Sequence, residues 1–215
     1  MTISNFNISS LKDDQNGAVA VLVAVILIVL LGFAALAIDL SNIFVAQNEL
    51  QNAADAASLA GARFLYSDDG ASINENANQI AYSAAIANSS EGNPVEVNWT
   101  SGNGGDVQRG HWSFNTKMFT PNDSTTPVDL WDVSSDELDA DLNFINAIQV
   151  TVRRESTPIT SYFARIFGFE NFQKSATAVA YIGFAGTLTP HDVDQPIAIC
   201  KESISQDGIY SCSIG

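Results

Sequence analysis

The sequence is poor in Cys, His and basic residues, and each scarcity excludes a class of protein. It contains two Cys and two His, too few for a Cys/His zinc site of the usual kind. Its 9 Lys and Arg stand against 24 Asp and Glu, which gives a net charge of -15. Binding to a nucleic-acid backbone or to an anionic lipid surface needs a basic surface that this chain lacks. For 215 residues, one domain or slightly more is expected.

Charged residues are missing altogether from residues 18–38, which read AVAVLVAVILIVLLGFAALAI. As a helix this run is about 31 Å long, close to the thickness of the hydrocarbon core of a bilayer. A lone strand in lipid leaves its backbone groups unsatisfied, so the run must be helical. It is either a permanent anchor or a cleaved secretory signal that ends at Ala35-Leu36-Ala37. Because the run is longer than a signal core of about 7–15 residues, the anchor is favoured.

The few basic residues near this run indicate its orientation. Lys12 is the only one before it, and the next one after it is Arg63. The positive-inside rule therefore places the N-terminus in the cytoplasm. We expect a short cytoplasmic N-terminus (1–16), a transmembrane helix (17–38) and an extracytoplasmic domain (39–215).

A helical stripe of apolar and small residues continues beyond the run. It extends from Ile43 to Phe64 in steps of three, four and seven, and no Pro interrupts residues 18–66. One long helix is therefore predicted, with its second half in the domain. Small residues let another element approach closely, either the domain's own core, as any fold requires, or a neighbouring subunit. The predicted helix-packing residues are Leu50, Ala53, Ala54, Ala57, Gly61 and Phe64.

The rest of the pattern predicts an α+β fold. A second helix over 71–88 repeats the spacing of the first and forms a hairpin with it. Alternation of apolar and polar residues then predicts antiparallel strands. A helix over 157–168, with its N-cap at Thr157, packs Phe163, Ile166 and Phe167 on the sheet. The whole is a transmembrane helix that continues into the domain, a helical hairpin and a roughly four-stranded antiparallel sheet. The four predicted strands lie near 95–99, 112–118, 148–152 and 175–184.

Acidic residues and cysteines provide the candidate ligand and disulfide sites. Asp132, Asp136 and Asp139 lie in a stretch without Lys or Arg, where carboxylate oxygens can bind calcium weakly. Their spacing does not match an EF-hand loop, which favours a solvated acidic loop without metal. Cys200 and Cys212 close a loop of 13 residues and are expected to pair in an oxidising compartment. Such a disulfide contributes about 3 kcal/mol.

Motifs of catalysis are absent from the sequence. It contains no G-x-S-x-G elbow, P-loop or dinucleotide fingerprint. His191, followed by Asp192, leaves an exported hydrolase as one hypothesis, because the order of a Ser/His/Asp triad varies between folds. We expect no enzymatic activity and no cofactor.

The segment QNELQNAADAASLAGA at 47–62 follows the apolar run and Asp39-Leu40, and Gly17-Ala18-Val19 precedes it. Together these residues closely resemble the Tad (tight adherence) family, and specifically its TadG-like Flp pilus-assembly proteins. Residues 158–180 resemble the region that follows in that family. The resemblance covers 17–66 most closely and extends over 148–200, where the region 147–200 would complete the sheet. Residues 89–146 have no match.

The resemblance implies a bacterial cell-envelope protein with one helix in the inner membrane and a pilin-like periplasmic or surface domain. It implies a structural or assembly role in a Tad pilus involved in adhesion. The implied partners are other pilus-assembly subunits, with self-association through the long helix as an option. Leu22 stands where prepilins carry Glu, and Asp132-x-Ser134-x-Asp136 lacks the last Ser of a von Willebrand factor A metal site. Neither prepilin processing nor that domain is therefore expected. The alternative is an extracytoplasmic binding module without a pilus role.

Overall fold

The computed structural model describes residues 15–67, 72–128 and 133–183, together with the short strands β7 (Ser205–Gln206) and β8 (Ile209–Tyr210). The described chain up to Ile182 belongs to one compact unit. A second unit begins at Gly183, and in it β7 pairs with β8 in antiparallel orientation. All elements discussed below belong to the first unit.

The first helix, α1, confirms the long helix predicted from the sequence. It spans Gln15–Arg63, 49 residues, without a break. Its stretch 19–38 is long and apolar enough to cross a membrane. Every side chain in that stretch is exposed except Ala35, which is half-buried. From Asp39 onward one face of the same helix is buried, so α1 consists of a bare apolar half and a half that belongs to the domain.

Four antiparallel strands form the sheet of the domain, in the order β4-β3-β5-β6. The strands β1 and β2 come before this sheet in the chain and pair with each other as a separate small antiparallel hairpin. The strands are β1 (Ser89–Ser90), β2 (Asn93–Pro94), β3 (Val107–Ser113), β4 (Met118–Pro121), β5 (Ala147–Thr160) and β6 (Asn171–Tyr181). The predicted α+β class and the four-stranded antiparallel sheet are therefore confirmed.

The core lies between this sheet and two helices, α1 and α2 (Ala77–Ile86). Alternate residues of β6 are alanines, and their small side chains let α1 lie close to the sheet. On β5 the facing residues are larger and fully buried, among them Ile148 and Val150. The buried alanines of β6 are Ala176, Ala178 and Ala180.

The predicted second helix is shorter than expected. It begins at Ala77 instead of residue 71, because Ile73 pairs with Tyr66 and the Asn74 side chain accepts a hydrogen bond from the Asn76 amide. Residues 95–99, predicted as a strand, are joined to the sheet at the bridge between Glu96 and Arg153.

The predicted strand at 112–118 is in fact the end of β3, a turn, and the start of β4. The turn places Lys117 at a φ of 56°, and its amide donates to the Ser113 carbonyl oxygen. Asp139, which follows in the short helix α3 (Ser135–Ala140), accepts hydrogen bonds from the amides of Phe114 and Asn115. Capping by a distant carboxylate therefore turns a segment whose local pattern favours a strand.

The predicted helix at 157–168 is wrong for most of its length. Strand β5 continues to Thr160, and only Ala164–Phe167 form a 3-10 helix. Gly168 ends it with a φ of 89°, which is the terminus that the sequence predicted. Thr157 caps no helix, because its amide and hydroxyl both donate to the Glu96 carboxylate. The aromatic residues of this segment do not pack on the sheet, as described below.

Candidate functional site

The predicted packing stripe of α1 lies in the core of the domain itself. Gly61 is buried against α2 and β5, and a Cβ added to it would lie 2.8 Å from the Ala81 Cβ and 2.8 Å from the Ile148 Cδ1. Phe64 differs from the prediction, because it follows the end of α1 and is 45 % exposed. The stripe is therefore covered by the chain's own elements and presents no free face to another subunit. Its other members are fully or almost fully buried: Leu50, Ala53, Ala54 and Ala57.

A buried carboxylate marks the point where the bare half of α1 meets the domain. Asp39 directly follows the uncharged run and is 3 % exposed. It accepts hydrogen bonds from the amides of Tyr162 at 2.8 Å, Phe163 at 3.0 Å and Ala164 at 2.5 Å. Several charge-assisted bonds from backbone amides compensate the cost of burying a carboxylate. They also fix the segment after β5 at this level of α1.

That segment, residues 161–170, is named the junction loop, and its side chains are unusually apolar and exposed. The sequence reads SYFARIFGFE. Ile166 and Phe167 are 76 % and 79 % exposed, although they were predicted to pack on the sheet. Tyr162, Phe163 and Phe169 are exposed as well. Contiguous apolar exposure of this kind marks an interaction surface with a protein or a membrane.

A buried arginine ties the middle of α1 to β5. Arg154 is 2 % exposed and donates to the carbonyl oxygens of Ser90 and Thr157. Its guanidinium lies 3.9 Å from the Glu91 carboxylate. The Glu91 amide in turn donates to Glu49 of α1 at 2.7 Å. The hairpin of β1 and β2 is thus held between the helix and the sheet by polar contacts.

A second carboxylate, that of Glu96, binds backbone amides of β5 shortly before the junction loop. Glu96 accepts hydrogen bonds from the amides of Ser156 at 2.8 Å and Thr157 at 2.7 Å, at a bulge between Arg154 and Ile159. Burial raises the pKa of Glu96, but these hydrogen bonds lower it by more, and the net result is a pKa of about 2. A bulge bends a strand locally, and this one lies in the part of β5 that leads into the junction loop.

Because the folded-state pKa of Glu96 is depressed, we expect part of the domain's stability to be lost in acid. The stabilisation is complete above pH 4.5, the ordinary pKa, and disappears as the pH falls from there to about 2. Glu96→Gln should therefore lower the free energy of unfolding at pH 7 and flatten its dependence on pH in that window. Urea unfolding at several pH values measures both. The exposed Glu75→Gln is the control and should leave the pH dependence unchanged; an equal flattening there would contradict the assignment.

The predicted calcium ligands serve other purposes or lie outside the described residues. Asp139 accepts hydrogen bonds from the Ser113 hydroxyl at 2.8 Å and from the turn amides named above. Asp136 is exposed in the first turn of α3. Asp132 lies outside the described residues, as do Cys200, Cys212 and His191. Across 15–67, 72–128 and 133–183 no group of three or more potential metal ligands comes together.

A second exposed apolar surface lies at the other end of the domain and is named the distal aromatic surface. Tyr181 stacks on Trp112 with ring centroids 5.6 Å apart and meets Phe114 edge-on at 5.2 Å. Leu59, 63 % exposed, lines a shallow pocket with Tyr181. Since Leu59 follows Asp39 by 20 residues on α1, this surface lies about 30 Å from the junction along the helix.

Sequence reasoning identified the apolar run but not the polar residues that join it to the domain. The position of Asp39, the first charged residue after 24 uncharged ones, was a usable signal. The sequence contained no such signal for Arg154 and Glu96, because the backbone groups that they bind at Ser90 and Thr157 are more than 60 residues away.

Two family models match the chain. Residues 17–63 match the model described as Flp pilus-assembly TadE/G-like. Residues 60–180, more than half of the chain, match the model described as Tad-like Flp pilus-assembly, so the stretch 89–146, for which the sequence showed no resemblance, lies within a matched region. No curated protein and no solved structure gives a significant match.

Proposed function

Since the chain belongs to the Tad-like Flp pilus-assembly family, which gives it a role in pilus assembly, we propose that it acts as a membrane-anchored structural component. It works through contacts between proteins and catalyses no reaction. The supporting observation is the bare apolar half of α1, which continues without a break into a folded domain. The anchor lies in the inner membrane with the N-terminus in the cytoplasm, as the position of Lys12 indicates.

The distal aromatic surface is the contact that we assign to a neighbouring pilus-assembly subunit. The small-residue stripe of α1 is covered within the chain, so it is not available for that purpose. By contrast, Leu59 and Phe114 are 63 % and 45 % exposed at the far end of the domain. Aromatic residues that are exposed together are enriched at the centres of protein interfaces.

The double variant Leu59→Ser and Phe114→Ser tests this proposal in the native host. We expect normal amounts of folded protein in the membrane fraction, because both side chains are exposed. The amount of other pilus-assembly subunits that co-purifies with it should fall about thirtyfold, the loss that corresponds to the about 2 kcal/mol of one interface hot spot, and surface pili should fall with it. Leu142→Ser, at an equally exposed residue elsewhere, is the control. Normal pili in the double variant would contradict the assigned contact, and release from the membrane fraction would contradict the anchor.

A further inference from the structure

The junction loop carries apolar side chains at the level where the uncharged run of α1 ends. Asp39 is the residue after Ile38, the last of that run, and its carboxylate holds the amides of Tyr162 and Phe163 at 2.8 and 3.0 Å. The loop is therefore fixed within about one helical turn of the end of the run. If residues 19–38 cross the hydrocarbon core, this level is the boundary between lipid tails and headgroups.

The composition of the loop fits that boundary. Tyr and Phe with a neighbouring Arg are typical of the membrane–water interface, where rings lie among the headgroups and a guanidinium reaches the phosphates. Here five exposed apolar or aromatic side chains precede and follow the exposed Arg165 within eight residues of sequence. The exposed side chains of α1 at the same level, Leu40 and Phe44, are apolar as well.

The backbone of the loop is closed by its own hydrogen bonds. The Ser161 amide donates to the Glu170 carbonyl oxygen at 3.0 Å, and the Gly168 amide donates to the Arg165 carbonyl oxygen at 3.0 Å. The Phe169 amide donates to the Ala164 carbonyl oxygen at 3.2 Å. Unpaired amides are costly near lipid, so a closed loop is suited to shallow insertion, while its irregular backbone excludes the hydrocarbon core.

We propose that the junction loop inserts its aromatic side chains into the headgroup layer of the membrane that α1 crosses, as a second attachment beside the helix. The inference rests on the proposed anchor. The net charge of -15 opposes anionic lipid, so the layer is that of zwitterionic phospholipid. The loop thereby gives the domain a second contact with the membrane, beside the helix itself.

Fluorescence quenching by brominated lipid tests the proposal on the full chain in phosphatidylcholine vesicles. Three single variants are compared with the parent protein, whose emission is subtracted: Phe167→Trp in the loop, Phe33→Trp in the apolar half of α1, and Phe114→Trp at the distal aromatic surface. Replacing the lipid by phosphatidylcholine brominated on its acyl chains should quench Phe33→Trp most. Phe167→Trp should lose about half of its added emission, as shallow insertion implies, and Phe114→Trp should lose almost none.

The three variants separate the failure of the loop from the failure of the anchor. Strong quenching of Phe33→Trp with none of Phe167→Trp would overturn the loop insertion and leave the anchor intact. A blue-shifted Phe167→Trp that brominated lipid does not quench would mean that a protein surface covers the loop, and it would overturn the proposal too. No quenching of Phe33→Trp would overturn the anchor, and the loop insertion with it.

Discussion

Gly61→Leu is expected to lower the free energy of unfolding of the domain by about 3 kcal/mol, the upper range for overpacking a core. A Cβ at this position already lies 2.8 Å from Ala81 and Ile148, and 3.2 Å from the Ala77 carbonyl oxygen. The additional methyl groups of Leu have no space there, so α2 must separate from α1. Urea unfolding of the detergent-solubilised chain, followed by tryptophan fluorescence, measures the change.

Ala56→Leu is the matched control for this prediction. Ala56 lies on the exposed side of the same helix, so the same side chain added there should change the stability by no more than about 0.5 kcal/mol. If Gly61→Leu were as stable as Ala56→Leu, α1 and α2 would not pack as closely as described. If Gly61→Leu also kept normal pilus assembly, the close packing would not be needed for function.

Arg154→Ala is expected to cost about 3 kcal/mol, because it removes the donor of several buried hydrogen bonds at once. The carbonyl oxygens of Ser90 and Thr157 would lose their partner, and Glu91 would lose its nearby positive charge. The same urea unfolding measures the loss. Beyond the loss of stability, the hairpin of β1 and β2 should separate from α1, and amide hydrogen exchange should show this as faster exchange at Glu91.

The cross-strand neighbour of Arg154 provides the control. Lys174 faces Arg154 in the register of β5 and β6 and is only half-buried. Lys174→Ala should therefore change the stability by less than about 1 kcal/mol. Equal losses in the two variants would mean that Arg154 contributes only its charge to the sheet, and not the buried contacts described above.

The sequence predicted those elements whose structure depends on neighbours along the chain. The stripe from Ile43 to Gly61 and the absence of Pro predict α1, because a helix places residues three and four apart on one face. The alternating alanines at 176–180 predict a strand beneath a helix for the same kind of local reason. Sequence also predicted the helix terminus at Gly168, where a positive φ requires a residue without Cβ.

The wrong predictions for 112–118 and for 157–168 share one physical cause, a distant carboxylate that binds backbone amides. Asp139 closes the turn after Ser113 from 26 residues away. Glu96 binds the amide of Thr157 from 61 residues away and keeps it in a bulged strand instead of a helix. Asp39 holds the amide of Phe163 across 124 residues. Local patterns cannot reveal such pairs, and in this acidic chain they determine where the segments turn.

The absence of any break in α1 has a mechanical consequence if its apolar half crosses a membrane, as we propose. No Pro and no break in the helix separate Ile38 from Arg63, so this part of α1 extends about 38 Å beyond the end of the apolar run. A change of 10° in the tilt of the anchor, well within the usual range, would displace the far end by about 7 Å. A change in the thickness of a bilayer that α1 crosses would thus reach Leu59 and its neighbours as a sideways movement.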